Sequence, residues 1–295
     1  MTTHTETFVS EEHHDGICRR DVPFSHISRN TRPPLLDDPI QCLAAAKIVK
    51  DSRSTTAGIV LVDGKRYFVK RYNYPTFFHK LKRFLRGRGK SRAMNNVIVA
   101  QHLSRNGILA PMVISAGFYA PRFWPQYDIL VTEAFSEPVT VAEQLPEIAD
   151  EKHIIRLVKA FAKLLSKIHN SNVLHGDMKL ENIHGAKIPG GKETIYGVFD
   201  FDGSKILKRK PTISERTKEA ARILSSLEFL LLRNGSGTFN RARTIAIFLD
   251  SYRKYAKCDL SVRQLEARIA YLVERNVRKY GIHTVETPIR NSDNA

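Results

Sequence analysis

Apolar and polar positions along this chain follow two periods in turn. In the first half the apolar stretches are short and strand-like: Ala46–Lys50, Gly58–Val62 and Arg66–Tyr72, with Asp63-Gly64 as a two-residue hairpin turn between the last two. In the second half apolar residues recur at helical spacing over Glu151–Asn170, Glu215–Arg233, Arg241–Ala256 and Val262–Lys279, broken by one strand-like run, Ile195–Phe199. The pattern predicts an α+β chain of two lobes, a small antiparallel-sheet N-lobe and a mostly helical C-lobe. The expected division is a polar N-terminal tail over 1–40, an N-lobe over 41–135, a C-lobe over 136–285 and a C-terminal tail over 286–295. Pro33-Pro34 and Pro39 break the first tail, and no internal repeat is present.

Candidate chemistry lies where the second-half elements end. The helix-like Ile154–His169 runs into Val173-Leu174-His175-Gly176-Asp177-Met178-Lys179-Leu180-Glu181-Asn182, and the strand runs into Asp200-Phe201-Asp202-Gly203. The first run matches His-x-Asp-x-x-x-x-Asn, the catalytic loop of the kinase fold, with Gly176 where Arg is usual; the second matches the metal-binding Asp-Phe-Gly element. Phosphoryl transfer asks a protein mainly for positioning and charge neutralisation. Asp177 is therefore the expected base for the acceptor hydroxyl, and Lys179 the cation that reaches the transferring phosphate. Asn182 and Asp200 supply the hard oxygens that Mg2+ prefers, with ATP as donor. His175 is assigned to packing beneath the loop.

The N-lobe should anchor ATP. Tyr67-Phe68-Val69-Lys70 places Lys70 where the kinase fold carries its phosphate-pairing lysine. The loop between the first two strands, expected over Asp51–Gly58, has no Gly-x-Gly-x-x-Gly; its small polar residues, Ser54 and Thr55 among them, still offer backbone N–H groups to phosphate. The following helix should carry a glutamate for Lys70. That position holds Asn96, and no acidic residue occurs from Gly64 to Tyr127. Val131–Phe135 is the expected hinge, with the backbone of Glu133 and Phe135 facing adenine. Ser204–Pro211 is short, basic and without an Ala-Pro-Glu, which favours a sugar or other small hydroxyl acceptor over a peptide. A catalytic sugar kinase, an atypical Ser/Thr protein kinase and a non-catalytic pseudokinase scaffold, the last suggested by Asn96, all stay open.

Charge adds a partner class. The formal net charge is +17, although the first 40 residues hold seven acidic side chains against four arginines. A field of this sign draws anionic ligands and surfaces. No zinc-finger spacing, RNA-binding aromatic signature or helix-turn-helix pattern is present, so nucleic acid is not the expected partner. The cations concentrate in the insert over 76–92, where Lys80, Lys82, Arg83, Arg86, Arg88, Lys90 and Arg92 accompany Phe77, Phe78, Leu81, Phe84 and Leu85. At about 100° per residue these five apolar residues share an arc of about 120°. The helix lies in an anionic membrane interface or packs that arc on the N-lobe with its cations solvated, readings that do not exclude each other since the same basic stretch can bind phosphates of a glycolipid core. Arg216 and Arg222 either face the site or are solvated, and solvent is the favoured assignment. Three widely spaced cysteines, no signal segment and no membrane-spanning run point to a cytoplasmic protein, with docking on the inner leaflet left open. The pattern does not give an oligomeric state.

Lys70, then Ser91-Arg92-Ala93, Leu103 and Gly107 leading to Pro111, then His175-Gly176-Asp177 and Asp200-Phe201-Asp202, resemble the lipopolysaccharide kinase (Kdo/WaaP) family over Ala46 to Tyr255. The resemblance implies an ATP- and Mg2+-dependent kinase of a heptose or Kdo hydroxyl in the lipopolysaccharide inner core. It implies Lys70 on the ATP phosphates, Asp177 as base, Asn182 and Asp200 on magnesium, a core glycolipid as partner, and work on the cytoplasmic face of the inner membrane. Asn96 departs from the glutamate usual in that family.

Overall fold

The computed structural model describes residues 13–14, 17–20, 39–85, 91–119, 125–134, 140–145, 150–187, 194–234 and 240–281. The chain divides into two compact units, Met1–Ser104 with Ala110–Pro138, and Arg105–Leu109 with Val139–Ala295.

The first unit is built on β1 (His13–His14), β2 (Ile17–Arg20), α1 (Pro39–Ala44), β3 (Lys47–Ser52), β4 (Thr55–Val62), β5 (Lys65–Asn73), α2 (Phe77–Leu85), α3 (Arg92–Arg105), β6 (Val113–Tyr119) and β7 (Tyr127–Glu133). The seven strands form one antiparallel sheet in the order β1-β2-β6-β7-β5-β4-β3. Its core is one sheet face under α1, with Cys42 and Leu43 against Val60, Val69 and Val131. The β4–β5 turn is the expected one: Asp63 and Gly64 both take positive φ, 49° and 73°, as a twisted two-residue hairpin requires.

The β3–β4 connection is tighter than expected. In place of a loop over Asp51–Gly58, the strands run on to Ser52 and Thr55, leaving only Arg53 and Ser54 in the turn. Side chains draw it closed. Ser52 Oγ donates to the Thr55 carbonyl at 2.9 Å and accepts from its N–H at 3.2 Å. Thr56 Oγ1 donates across to Asp51 at 3.0 Å, and Asn73 N–H bonds the Ser54 carbonyl at 3.0 Å. β-Branched Thr55 and Thr56 fit a pleated strand better than a loop.

Helix α2 turns its apolar arc outward. Phe77, Phe78, Phe84 and Leu85 are exposed, while Arg83 is buried. Arg83 Nε donates to Asp128 Oδ1 at 3.1 Å, and Tyr74 Oη donates to Asp128 Oδ2 at 2.5 Å. The Arg83 guanidinium also lies 5.5 Å from the Phe118 ring centroid. The expected alternative, an apolar arc packed inward with solvated cations, is therefore overturned at this helix. Turning it over would bury apolar side chains at about 1.5–3 kcal/mol each, so a competing interaction holds it. That interaction is the buried pair. Burial pushes the Asp128 carboxyl up, and the opposing pull of Arg83 and Tyr74 does not restore it. A buried pair of this kind gives little net stability, yet breaking it is costly. It sets the rotation of α2.

The second unit is mostly helical: α4 (Val141–Gln144), α5 (Glu151–Asn170), β8 (Val173–Leu174), β9 (Ile183–Lys187), β10 (Thr194–Val198), β11 (Lys205–Ile206), α6 (Ile213–Arg233), α7 (Arg241–Ala256) and α8 (Val262–Tyr280). The four long helices fall where the periodicity places them. Asp150 caps α5 by accepting from the N–H groups of Lys152 and His153, and Thr212 and Glu215 form a capping box on α6. Leu157, Phe161, Leu165 and Ile168 give α5 a fully inward stripe, packed on α7, while α6 packs on α8.

Asp128→Ala, which leaves the Arg83 charge buried without its carboxylate, should cost about 3–5 kcal/mol of stability. Urea denaturation reads it directly; an unchanged midpoint would show that the pair does not hold α2.

Candidate active site

Helix α5 ends at Asn170, and two residues of β8 lead directly into His175-Gly176-Asp177. β8 pairs antiparallel with β11, so the start of this loop is tied to the segment after Asp200. At the bend, side chains satisfy every backbone polar group of His175 and Gly176. Glu219 of α6 accepts from the His175 N–H at 3.1 Å and from the Gly176 N–H at 2.5 Å. Ser204 Oγ donates to the His175 carbonyl at 2.7 Å, and Arg222 Nη1 donates to the Gly176 carbonyl. Buried backbone groups need such partners, and here the partners also fix the path of the chain. Gly176 has φ +84°, and a Cβ there would strike the Gly203 carbonyl. An Arg side chain, usual at this place in kinases, does not fit.

His175 is fully buried, with its ring roles set by two bonds: Nε2–H donates to the Phe199 carbonyl at 3.0 Å, and Nδ1 accepts from the Asp177 N–H at 3.4 Å. Burial lowers its pKa, so it is the neutral ring. It joins the two motif loops as packing, as the sequence implies. Below the loop runs a buried relay. Arg216 donates to Pro211 O at 2.9 Å and to Tyr252 Oη at 3.0 Å; Tyr252 Oη donates to His169 Nδ1 at 2.6 Å; His169 Nε2–H donates to Glu219 Oε2 at 3.2 Å. Burial pushes the His169 pKa down, so this imidazole is neutral. Burial pushes the Glu219 carboxyl up, but the bonds from His169 and Gly176 outweigh it and hold the group ionised.

This corrects the assignment of Arg216 and Arg222 to solvent: Arg216 is buried and Arg222 is bonded to the loop. The signal for Glu219 lay in its neighbours. A carboxylate among Ala220, Ala221, Ile223 and Leu224 on an inward helix face calls for buried donors.

The loop delivers Asp177 with a half-exposed carboxylate. Asn182 Nδ2 donates to the Asp177 carbonyl at 2.8 Å and to Oδ2 at 3.2 Å, and Lys179 Nζ stands 3.5 Å from Oδ2. Oδ1 lies outside these contacts. Since Asn182 commits its amide nitrogen to Asp177, its side-chain oxygen is turned elsewhere. Its main-chain carbonyl accepts from Phe199 N–H at 3.2 Å, continuing the β9–β10 ladder past Ile183 and Val198. Asn182 and Asp200 are thus held in adjoining positions. Asp200 itself adopts left-handed backbone, φ 64° and ψ 66°, a state that only Asn, Asp and Gly visit readily. Among the described residues no group of three His, Cys, Asp or Glu could hold a metal alone. Asn182 and Asp200 carry hard oxygens of the type that Mg2+ takes when phosphate and water complete its shell.

In the first unit Lys70 is buried on β5, with Nζ 4.9 Å from the Tyr72 ring centroid, and Asn96 Nδ2 donates to Tyr72 Oη at 3.2 Å and to Arg92 O at 2.9 Å. Tyr72, absent from the sequence reading, thus joins the two predicted residues from the same strand face. Thr55 is buried with its N–H and carbonyl taken by Ser52; Ser54 is exposed in the turn. In the expected hinge, the Glu133 N–H is taken by Met112 O at 2.8 Å and the Ala134 N–H by Arg66 O at 2.9 Å. Phe135 lies outside the described residues, as do Arg86, Arg88 and Lys90.

The profile of the lipopolysaccharide kinase (Kdo/WaaP) family matches residues 44–242. Among solved structures, "WaaP in complex with acyl carrier protein" matches at 20% identity and a TM-score of 0.53, over 82% of this chain and 92% of that one. At that identity the likeness is one of fold, the two-lobed α+β kinase-like fold expected from the sequence. The BubR1 kinase domain matches at 15% and 0.43, over 79% and 80% of the two chains. The bifunctional kinase-methyltransferase WbdD matches at 15% and 0.44, over 76% of this chain and 47% of that one. Comparison with curated proteins returns no match.

Two outcomes follow for the relay. Glu219→Gln removes the ionised acceptor that orders the His175–Gly176 bend, so turnover should fall by at least about tenfold with nucleotide affinity nearly unchanged; equal turnover would show that the bend orders itself. Stability should also fall with acid. His169, His175 and His184 all sit below the ordinary 6.5, burial being the main cause, and His184 reaches about 4. Below pH 6.5 the unfolded chain takes up protons that these folded imidazoles refuse, so each costs about 1.4 kcal/mol per pH unit until its own folded pKa is passed. The lowered Glu219 acts in the same direction below its ordinary 4.5. Urea midpoints at pH 7.5 and pH 5 test this, and equal values would contradict neutral buried imidazoles.

Proposed function

The chain belongs to the lipopolysaccharide kinase (Kdo/WaaP) family, and from that premise we propose that it transfers the terminal phosphoryl group of ATP, with Mg2+, to a heptose or Kdo hydroxyl of the lipopolysaccharide inner core. The observation that carries this reading is the Asp177 loop. A half-exposed carboxylate, oriented by Asn182 and faced by Lys179, lies within the family match, and the main chain of Asn182 is bonded to Phe199, the residue before Asp200.

In this reading Asp177 accepts a hydrogen bond from the acceptor hydroxyl, aims its oxygen and takes its proton as the bond to the γ-phosphorus forms and the bond from that phosphorus to the bridging oxygen breaks, releasing ADP. Lys179 offsets charge on the transferring oxygens. Asn182 and Asp200 hold the metal, which when bound neutralises the donor phosphates. Lys70, beside Tyr72 and linked through it to Asn96, is the first unit's residue for the ATP phosphates. The exposed Arg53–Ser54 turn is what remains to offer N–H groups to phosphate, since Thr55 is already bonded. Backbone at Glu133 and Phe135 receives adenine.

Sugar rather than peptide is supported by the segment after Asp200. Lys205–Ile206 is paired to β8, Leu207 N–H bonds Asn172 O at 2.8 Å, Lys210 Nζ bonds Asn170 O at 2.9 Å, and Arg209 bonds both oxygens of Glu215. A lipid-borne acceptor would set the enzyme at the cytoplasmic face of the inner membrane, where ATP is available. Among the described residues no helix is long and apolar enough to cross a membrane.

The test is transfer of label from ATP with magnesium to dephosphorylated lipopolysaccharide core or to a generic protein. The expected result is label on the glycolipid, reduced at least about a thousandfold by Asp177→Asn with ATP affinity nearly intact, whereas Asp200→Asn weakens metal–nucleotide binding as well. Label only on protein would replace the sugar kinase by a protein kinase. ATP binding without transfer to either would favour a scaffold.

A further inference from the structure

We infer that α2 is a membrane-docking element, whose apolar face enters the interface of an anionic lipid surface. Phe77, Phe78, Phe84 and Leu85 are 61%, 78%, 51% and 74% exposed. With Leu81 they fill one arc of about 120°. At about 100° per residue Lys80 and Lys82 stand on either side of that arc, and Arg83 lies across the helix from it. Arg83 is the cation turned inward, where it donates to Asp128, which Tyr74 also bonds. Lys80 Nζ secures one flank by donating to Gln126 Oε1 at 2.6 Å. The helix is thus clamped by polar bonds with its apolar side out. The Phe77 and Phe78 rings meet edge to face, with centroids 6.1 Å apart, so the exposed side is an ordered aromatic wedge.

An apolar patch rimmed by charge marks an interaction surface. Two observations choose its occupant. The arc is flanked by lysines, and no acidic residue lies anywhere from Gly64 to Tyr127. A second copy of this chain would bring Lys80 and Lys82 against an equally basic surface, in a protein whose net charge is +17. An anionic leaflet answers both features. Its interface receives aromatic and aliphatic side chains, and its headgroup phosphates receive the flanking ammonium groups. The inference rests on the kinase reading only in that the acceptor is lipid-borne; the geometry of α2 is independent of the transfer chemistry.

The test sediments the full chain with vesicles of phosphatidylcholine alone, or mixed with phosphatidylglycerol. Binding at least tenfold stronger to the anionic vesicles is expected, and Phe77→Ser/Phe78→Ser should lower it at least tenfold with an unchanged melting temperature. Phosphorylation of delipidated core oligosaccharide by the double variant should match the parent, which separates failure of docking from failure of catalysis. Equal vesicle binding by parent and variant would overturn the inference. So would a parent that ignores anionic vesicles but forms a concentration-dependent dimer abolished by the two serines, because a second copy would then cover the wedge.

Discussion

The site depends on one buried carboxylate. Glu219 faces two consecutive N–H groups, those of His175 and Gly176, and the Nε2–H of a neutral imidazole. A carboxylate is the side chain that can accept several such bonds at once while remaining acceptor-only. If those donors were unmet, each would cost about 1–3 kcal/mol. With the two N–H groups fixed, the chain turns through a positive φ at Gly176 and Asp177 emerges in one direction. Asn182 then reads that direction through two hydrogen bonds and passes it, through its own carbonyl, to Phe199 and so to Asp200. Asp177, Asn182 and the chain entering Asp200 are thereby set in one hydrogen-bonded frame.

The first unit uses buried charge differently. At Glu219 the bonds outweigh burial and hold the carboxyl down; at Asp128 burial outweighs the bonds and the carboxyl is pushed up. The first arrangement is favourable as well as orienting. The second contributes orientation at the expense of stability, since apolar packing of α2 would satisfy the hydrophobic effect better. Both place a polar group where local pattern asks for an apolar one, and both direct a feature outward: a carboxylate in one case, an aromatic wedge in the other.

That contrast explains what the sequence could reveal. Strands, long helices and the Asp63-Gly64 turn follow from period and turn chemistry, which are local. Asp177, Asn182 and Asp200 stand out as candidates because each motif that carries them lies within a single loop. The β3–β4 turn was misread because its closure depends on side-chain bonds, Ser52 with Thr55 and Thr56 with Asp51, and on Asn73 from the next strand, none of which registers in apolar period. Period alone placed the apolar arc of α2 correctly but not the side that faces the sheet, which Asp128, forty-five residues away, decides. Arg216 and Arg222 looked solvated because a charge on a helix is usually so; Tyr252 and the bare Gly176 carbonyl claim them only in the folded chain. Tyr72 was hidden for the same reason.

The bend at Gly176 also bears on the acceptor. Because residue 176 has no side chain, the Gly203 backbone closes directly over it, and Ser204 bonds the carbonyl of His175. The chain from Asp200 to α6 is then consumed in sequence by a 3-10 turn, by the pairing of β11 with β8, and by bonds from Leu207, Arg209 and Lys210. A segment committed in this way before an acceptor arrives has little freedom to fold around a flexible peptide, whose ordering would itself be costly. It suits an acceptor that brings its own rigidity, such as a sugar ring braced by its neighbours in an oligosaccharide. The glycine in the catalytic motif and the short segment after Asp200 are therefore one adaptation, in which the backbone itself closes the space that a mobile loop would otherwise occupy.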